Sequence, residues 1–396
     1  CKHAAHFRHG GGETLGLAID WTAWGDIGMA TRGSIPAVMK AAGIDMLPAA
    51  AGIPIVRREL TGRGVGGEMV VGKRLGLLMD EFHATGGLDP EAFAPAAESS
   101  VMVGSVDGFG VYTGLRVSVE LDPGQQPFLF DHQIDGTPVL PGVMGVEFFA
   151  ASALAGFPEL HVAGVEDVDF LAPFKFYRSQ PRRLTVEVSY TSESGDIIGM
   201  CRLIGVRSLA NQDEPQRTVH FTGRVRLTGK EPSLGTAAVP SRNESVVASE
   251  DVYEIYFHGP AYQVVDSAWM DGDAVAALMA EDLPLNHEPP DQELTTAPRL
   301  TELAFQTAGI WEIGTAGAMA LPRHIDRVAY ASGAGESAGP LYAVVRPGED
   351  GGFDATIVDA RGAVRVLMLG YRTVRLPAPL DAASMMPLKE AMKSGG

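Results

Sequence analysis

Cysteine is almost missing from this 396-residue sequence: only Cys1 and Cys201 occur. A disulfide framework beyond one pair is therefore excluded, and a reducing cytoplasm fits. Positive charge is scarce as well. Lys and Arg number 31 against 49 Asp and Glu, a formal net charge of −18. That balance argues against nucleic acid, whose phosphates demand a basic footprint, and it disfavours anionic membrane surfaces. No apolar run approaches the roughly 18–20 residues of a membrane span, and no secretory leader pattern is visible. Metal-ligand clusters are thin: Cys1, His3, His6 and His9 are dense enough to draw notice, but no second cluster follows them. They read as a helix end, and no metal is expected.

What is present is the composition of a soluble globular chain, 45 % hydrophobic and 20 % charged, long enough for two to three domains. The chain opens on Cys1 in mid-pattern, which suggests that it is cut from something longer. Residues 1–75 read as the end of one domain. A strand-like run, Leu15–Trp21, leads into a Gly-rich loop, and the segment from Ile35 has helical periodicity broken at Pro48 and Pro54. Residues 76–100, rich in Ala, Gly and Pro, read as a linker. From Val101 the pattern turns to β, and helix-then-strands occurs twice, over 101–232 and 251–377. A Pro/Ser-rich connector (233–250) separates the two, and a tail (378–396) closes the chain. The second helix, Ala297–Gly314, has Thr296 as its expected cap. Two such sets make an α+β chain, an antiparallel sheet on a helix, internally duplicated.

The densest chemistry lies in HQIDGTPVLPGVMG, His132 to Gly145. It reads H-x-x-x-G-x-x-x-x-P through His132, Gly136 and Pro141. Gly136, Pro138 and Pro141 enforce irregular backbone, and Asp135 reads as a turn-former. Val143–Gly156 is apolar nearly all round, as a core helix is, and it starts at Pro141-Gly142. A titratable imidazole thus sits against the positive end of a buried helix, whose free N–H groups can hold a carbonyl or oxyanion. In the second half, Phe257–Gln263 spells FHGPAYQ, and Glu302 and Gln306 lie four apart on one helix face.

These motifs, in this order, resemble the dehydratase domains of type I polyketide synthases, nearest to bacterial iterative synthases of the enediyne or polyunsaturated-fatty-acid kind. The resemblance runs from about Ser100 to Leu376. It implies a double hotdog: two antiparallel sheets, each wrapped on a long helix. TELAFQ matches the family's carboxylate followed by Gln four residues on. FHGPAYQ matches its Y-G-P-x-F-Q turn, except that His258 stands in the tyrosine position. Asp20–Gly25 loosely resembles the W-G-x-W-like segment near the end of a ketoreductase, so residues 1–75 would be a short α/β ketoreductase remnant. No Tyr-x-x-x-Lys pair accompanies it. Gly62–Gly67 spells G-x-G-x-x-G, but a strand pattern follows where a dinucleotide site needs a helix.

On this resemblance His132 would take the α-proton of a 3-hydroxyacyl thioester. Glu302 would protonate the leaving hydroxyl, Gln306 would orient it, and the N–H of Gly142 would polarise the thioester carbonyl. Gly136, Pro141, Gly142, His258, Gly259 and Pro260 would shape the substrate pocket. The apolar flanks of Glu302 predict burial that raises its pKa. No metal or redox cofactor is called for, since the acyl chain rides on the phosphopantetheine of an acyl carrier protein. The implied partners are that protein and neighbouring synthase domains, with a homodimer allowed for. Lys175, Arg178, Arg182 and Arg183 read first as solvated turn charges and second as a carrier-protein dock. Gly335–Gly339 spells G-x-S-x-G but runs into Pro340 and a strand, against a nucleophile elbow. The rival readings are isomerase or thioesterase chemistry, or a catalytically idle acyl-binding scaffold.

Overall fold

Alternating apolar residues and tight polar turns set this chain up for antiparallel sheet, interrupted by two helices too apolar to face water. The computed structural model describes residues 17–61, 68–76, 100–110, 114–207, 215–335, 339–348, 351–376 and 380–393. It divides into two units, Cys1–Gly87 and Leu88–Gly396. Among the described residues no helix is long and apolar enough to cross a membrane.

In the first unit, β1 (Ala18–Trp21) pairs in parallel with β2 (Glu68–Val71). A parallel pair needs a crossover, here supplied by α1 (Ile35–Ala41) and α2 (Ala49–Thr61). Pro54 was expected to break the helical run but lies inside α2. Its ring removes one backbone bond near the start of the helix, and the remaining turns continue. The Cys1–His9 cluster, the Gly62–Gly67 run and Ser337 fall outside the described residues.

The second unit holds one 13-stranded sheet. Its first half contains β3 (Ser105–Gly110), β4 (Gly114–Leu121), β7 (His161–Phe170), β8 (Arg182–Glu193), β9 (Asp196–Arg207) and β10 (Gln216–Thr228). The second contains β11 (Val246–Ala248), β12 (Val265–Asp271), β13 (Ala274–Met279), β14 (Ala320–Tyr330), β15 (Leu341–Pro347), β16 (Phe353–Asp359) and β17 (Val364–Arg375). Spatial order runs β7-β10-β9-β8-β4-β3 in one half and β14-β17-β16-β15-β13-β12 in the other, with β11 beyond β12. The two orders match strand for strand, so the duplication read from the sequence is present in the topology. The halves join where β7 pairs antiparallel with β14, Val165 opposite Val328.

The short helices α3 (Pro127–Phe130) and α5 (Ser249–Tyr253) and the two-residue strands β5 (Gln133–Ile134) and β6 (Thr137–Pro138) also belong to this unit, and each half-sheet wraps one long helix, as a double hotdog does. The first is α4 (Gly142–Ala155), with twelve of its residues buried, Phe148 and Phe149 fully so. Removing two such rings from water contributes on the order of 1.5–3 kcal/mol each. The second is α6 (Pro298–Ala316), whose buried face includes Leu303, Phe305 and Ile310. Thr296 does not cap α6: Ala297 holds that position. The Thr296 hydroxyl and N–H, with the N–H of Thr295, instead donate to the carboxylate of Glu147, fully buried in α4, at 2.5, 2.7 and 2.7 Å.

The connector 233–250 is knitted to the second half. Val364 N–H donates to Gly235 O at 3.0 Å and Trp269 Nε1 to Ser241 O at 2.8 Å. Within the tail, α7 (Met386–Ala391) buries Leu388 beside α6.

Candidate active site

The H-x-x-x-G-x-x-x-x-P spacing is explained by one short hairpin. Gln133–Ile134 pairs with Thr137–Pro138 across Asp135-Gly136, whose φ values are 50° and 69°. Two positive φ values in a row are what a two-residue type I′ turn requires, and Asp-Gly is a preferred sequence for it. The hairpin brings Val139 back opposite His132. Val139 N–H donates to His132 O at 3.0 Å, and His132 Nδ1 meets Val139 O at 2.8 Å. A carbonyl only accepts, so Nδ1 carries the proton and Nε2 keeps its lone pair. Pro141 then forms the N-cap of α4, and Gly142 opens the helix. Met144 and Gly145 N–H both donate to Pro141 O at 3.1 Å, while the N–H groups of Gly142 and Val143 precede the first intrahelical bond.

The second half meets this loop face to face. His132 and His258 form an isolated antiparallel bridge, their rings 5.3 Å apart. Asp131 fastens the junction: its carbonyl accepts from Gly259 N–H and its Oδ2 from Ala261 N–H, both at 2.7 Å. A β-carbon on residue 259 would run into the Asp131 carboxylate, which accounts for glycine there.

From α6 comes Glu302, only 5 % exposed. Its Oε1 lies 3.2 Å from His258 Nε2 and accepts from Gln306 Nε2 at 3.0 Å. Gln306 is held in turn. Its Nε2 also donates to Tyr262 O at 2.9 Å, and its Oε1 accepts from Tyr253 OH at 2.7 Å. Both amide hydrogens are therefore engaged. Gln306 orients Glu302, where the sequence reading had it orienting the substrate hydroxyl.

The electrostatics follow from burial and these partners. His132 is pushed down to about 4, mainly by burial, with His258 adding to the effect and Glu302 opposing it. At neutral pH it is an uncharged imidazole with an available Nε2. Glu302 departs from expectation. Burial does push its carboxyl up, but the hydrogen bond and electrostatic interaction with His258, the weaker interaction with His132 and the Gln306 bond outweigh that and hold it below its ordinary value. The raised pKa predicted from its apolar flanks is corrected accordingly: the flanks are apolar, but the partner is a histidine.

These groups line one cavity of about 260 Å³ between the halves. Its wall includes His132, Gly142, His258, Glu302 and Gln306, with Phe170, Phe221, Phe305 and Tyr371 as apolar lining. Gly136, Pro141, Gly259 and Pro260, expected at the substrate, lie outside that wall and set the backbone that carries it. Sequence reading missed Tyr253, Asp131 and Glu312. Glu312 lines the cavity beyond Gln306 and accepts from Thr373 Oγ1 at 2.7 Å. Glu312 is off the i, i+4 row that joins Glu302 and Gln306, so helical spacing gave no signal for it; Asp131 acts across the two halves and Tyr253 reaches Gln306 from another element of the second half, and neither leaves a local pattern. Among the described residues no cluster of three or more His, Cys, Asp or Glu has metal-site geometry.

Segment 171–173, which lines the cavity, leads into the basic cluster. Arg183 pairs with Asp107 at 2.6 Å. Arg182 lies 4.1 Å over the Phe174 ring and donates to Lys175 O. Arg178 is exposed and Lys175 half-buried.

Comparison with known proteins adds a family. The model described as "Polyketide synthase dehydratase domain" matches residues 110–197, and that described as "Polyketide synthase dehydratase N-terminal domain" matches 231–383. Together they span more than half of the chain. Polyketide synthase ThaG of Burkholderia thailandensis is 26 % identical over 280 residues, 65 % of this chain and 4 % of that protein. A polyunsaturated fatty acid synthase of a Thraustochytrium species is 24 % identical over 247 residues, 57 % of this chain and 8 % of that polypeptide. The chain thus spans a small part of each relative. Among solved structures, the dehydratase domain from the CurF module of curacin polyketide synthase has a TM-score of 0.58 at 17 % identity, covering 70 % of this chain and all of that one. A trans-AT dehydratase domain from Brevibacillus brevis has a TM-score of 0.56 at 19 % identity, covering 70 % and 99 %. Both share the double-hotdog fold.

Proposed function

Since this chain belongs to the polyketide synthase dehydratase family, we propose that its cavity removes water from a 3-hydroxyacyl thioester to give the 2-enoyl thioester. The observation that carries this reading is a neutral His132 with its Nδ1 tied to Val139 O and its Nε2 left as a base. It shares one apolar cavity with the Glu302 carboxylate of the other half. His132 Nε2 takes the α-proton, and the N–H groups opening α4 stabilise the enolate oxygen. The β-hydroxyl leaves toward the Glu302 side, where a proton must be supplied. Each acid–base contribution is worth about 10²–10⁴-fold.

The reading calls for no metal or redox cofactor. The substrate would arrive on the phosphopantetheine of an acyl carrier protein, with other synthase domains as neighbours, in the cytoplasm. Incubation of the protein with a synthetic 3-hydroxyacyl pantetheine thioester, followed by chromatography, tests it. The expected product is the 2-enoyl thioester, with turnover at least ~100-fold lower in His132→Ala. Release of free acid, or a shifted alkene without loss of water, would replace dehydration with thioesterase or isomerase chemistry. No turnover at all would leave an acyl-binding scaffold.

A further inference from the structure

The residue before His132 does not line the cavity, yet it holds the opposite side of it. Asp131 ends α3, where its own N–H donates to Pro127 O at 2.8 Å. The fully buried Phe128 and Leu129 seat that helix, so the place of Asp131 is fixed from within the first half. From there it grips the 258–262 turn of the second half at its middle, Gly259 N–H on its carbonyl and Ala261 N–H on Oδ2, both at 2.7 Å. The two ends of the same turn hold the carboxylate side of the site. His258 Nε2 lies 3.2 Å from Glu302 Oε1, and Tyr262 O accepts from Gln306 Nε2 at 2.9 Å. Asp131 is thus one peptide bond from His132 and one hydrogen bond from the turn that carries the partners of Glu302 and Gln306.

The contact leaves no slack. Gly259 has φ −82° and ψ 179°, extended backbone that any residue adopts. A β-carbon there would nevertheless lie 2.4 Å from Asp131 Oδ1 and 2.7 Å from its Cγ, so the glycine is required by the contact alone. Resting on the dehydratase reading, we propose that Asp131 is a positioning residue of the reaction, holding the 258–262 turn so that His258 and the Glu302 carboxylate stand in register with His132 across the cavity.

The effect is local to the site. Without the Asp131 side chain the halves remain joined by Gln126 Nε2 on Glu288 O at 2.7 Å, by the threonine bonds to Glu147 and by the β7–β14 ladder. His132 keeps its own anchor, since Val139 O belongs to the same half. What loosens is the distance between the base and the carboxylate, and reacting groups lose effective concentration steeply with small misplacements.

The test follows water loss from the 3-hydroxyacyl pantetheine thioester by chromatography in the full chain. It compares Asp131→Ala with Asp131→Asn, which keeps a side-chain oxygen for Ala261 N–H. Asp131→Ala should lower kcat ~100-fold and leave KM within about threefold, and Asp131→Asn should recover kcat to within about tenfold of wild type. Gly259→Ala should reproduce the loss from the other side of the contact, and the double variant with Asp131→Ala should lose far less than the product of the two. The His132 imidazole titration, read by NMR, needs no substrate. Burial and His258 push it down to about 4. A turn that swings away takes His258 with it and admits water, so in Asp131→Ala the titration should move toward 6.5. In Asp131→Asn it should stay low although the same charge is lost. Wild-type kcat in Asp131→Ala would overturn the proposal, as would an unmoved titration or a multiplicative loss in the double variant. A wild-type chain that turns over no substrate would instead remove the dehydratase reading, and the titration would still decide whether Asp131 sets the junction.

Discussion

His132 shows how one residue's surroundings set both its chemistry and its effect on stability. The active base is the neutral imidazole, and burial depresses its pKa from 6.5 to about 4. Dehydration should therefore persist from pH 7 down to about 5 and fall as pH drops through about 4, as a pH–rate profile on a small thioester would reveal. An acidic limb near 6.5 would mean that His132 is more hydrated than its position implies. Linkage gives the matching stability effect. In the unfolded chain the residue titrates near 6.5, so between 6.5 and 4 the unfolded state binds more protons. Stability should decline by a few kcal/mol as pH falls through that window. Urea midpoints should decline less in His132→Asn, which can still donate to Val139 O. The histidine, its turn and its helix were legible because all lie within one stretch of sequence. The state of Glu302 was not legible, because His258, which reverses the effect of burial, is 44 positions away on another element.

At the scale of elements, the two hotdog helices use their buried carboxylates differently. Glu302 of α6 meets His258 of its own half, whose backbone bridges His132 of the loop that opens α4, whereas Glu147 of α4 reaches across to the loop that opens α6. In one case the partner is a histidine beside a cavity; in the other it is the Thr295–Thr296 pair, and the carboxylate is consumed as a structural acceptor. Burial pushes the Glu147 carboxyl up, against the threonine hydrogen bonds that pull it down. Glu147→Ala would leave two buried N–H groups and a hydroxyl without their acceptor, at roughly 3 kcal/mol or more. The melting temperature should drop by roughly 5–10 °C by calorimetry, with Glu147→Gln intermediate. A change within a degree or two would mean that water can replace the carboxylate. Periodicity told which segments were helices and strands, and their repeat told that there were two sets. It could not tell that Thr296 would bond Glu147 instead of capping α6, since those partners lie 149 positions apart.

At the scale of the whole molecule, the site exists only because two halves are held in register. The same holds for access, because the basic segment continues from the cavity wall. Arg182 and Arg183 are engaged within the fold, so a carrier-protein dock would rest on Lys175 and Arg178. Reversing both charges should raise the KM for a carrier-bound substrate several-fold and leave a small thioester unaffected; equal effects on the two would remove the dock. The register itself depends on the β7–β14 seam, where Gly164 lies opposite Ala329. A β-carbon there would meet Val328 O at 2.5 Å and Ala329 Cα at 3.1 Å. Both are backbone atoms that cannot move aside without breaking the ladder. Gly164→Val should therefore force the strands apart, although residue 164 does not line the cavity. His132 belongs to one half and Glu302 and His258 to the other, and reacting groups lose effective concentration steeply with small misplacements. Turnover should fall by ~100-fold under conditions where circular dichroism still reports a folded sheet. Substitution at Gly195, a positive-φ turn glycine with open space around it, should cost a little stability and leave turnover intact. If Gly164→Val retains turnover, the two halves must be held in register by contacts other than this seam.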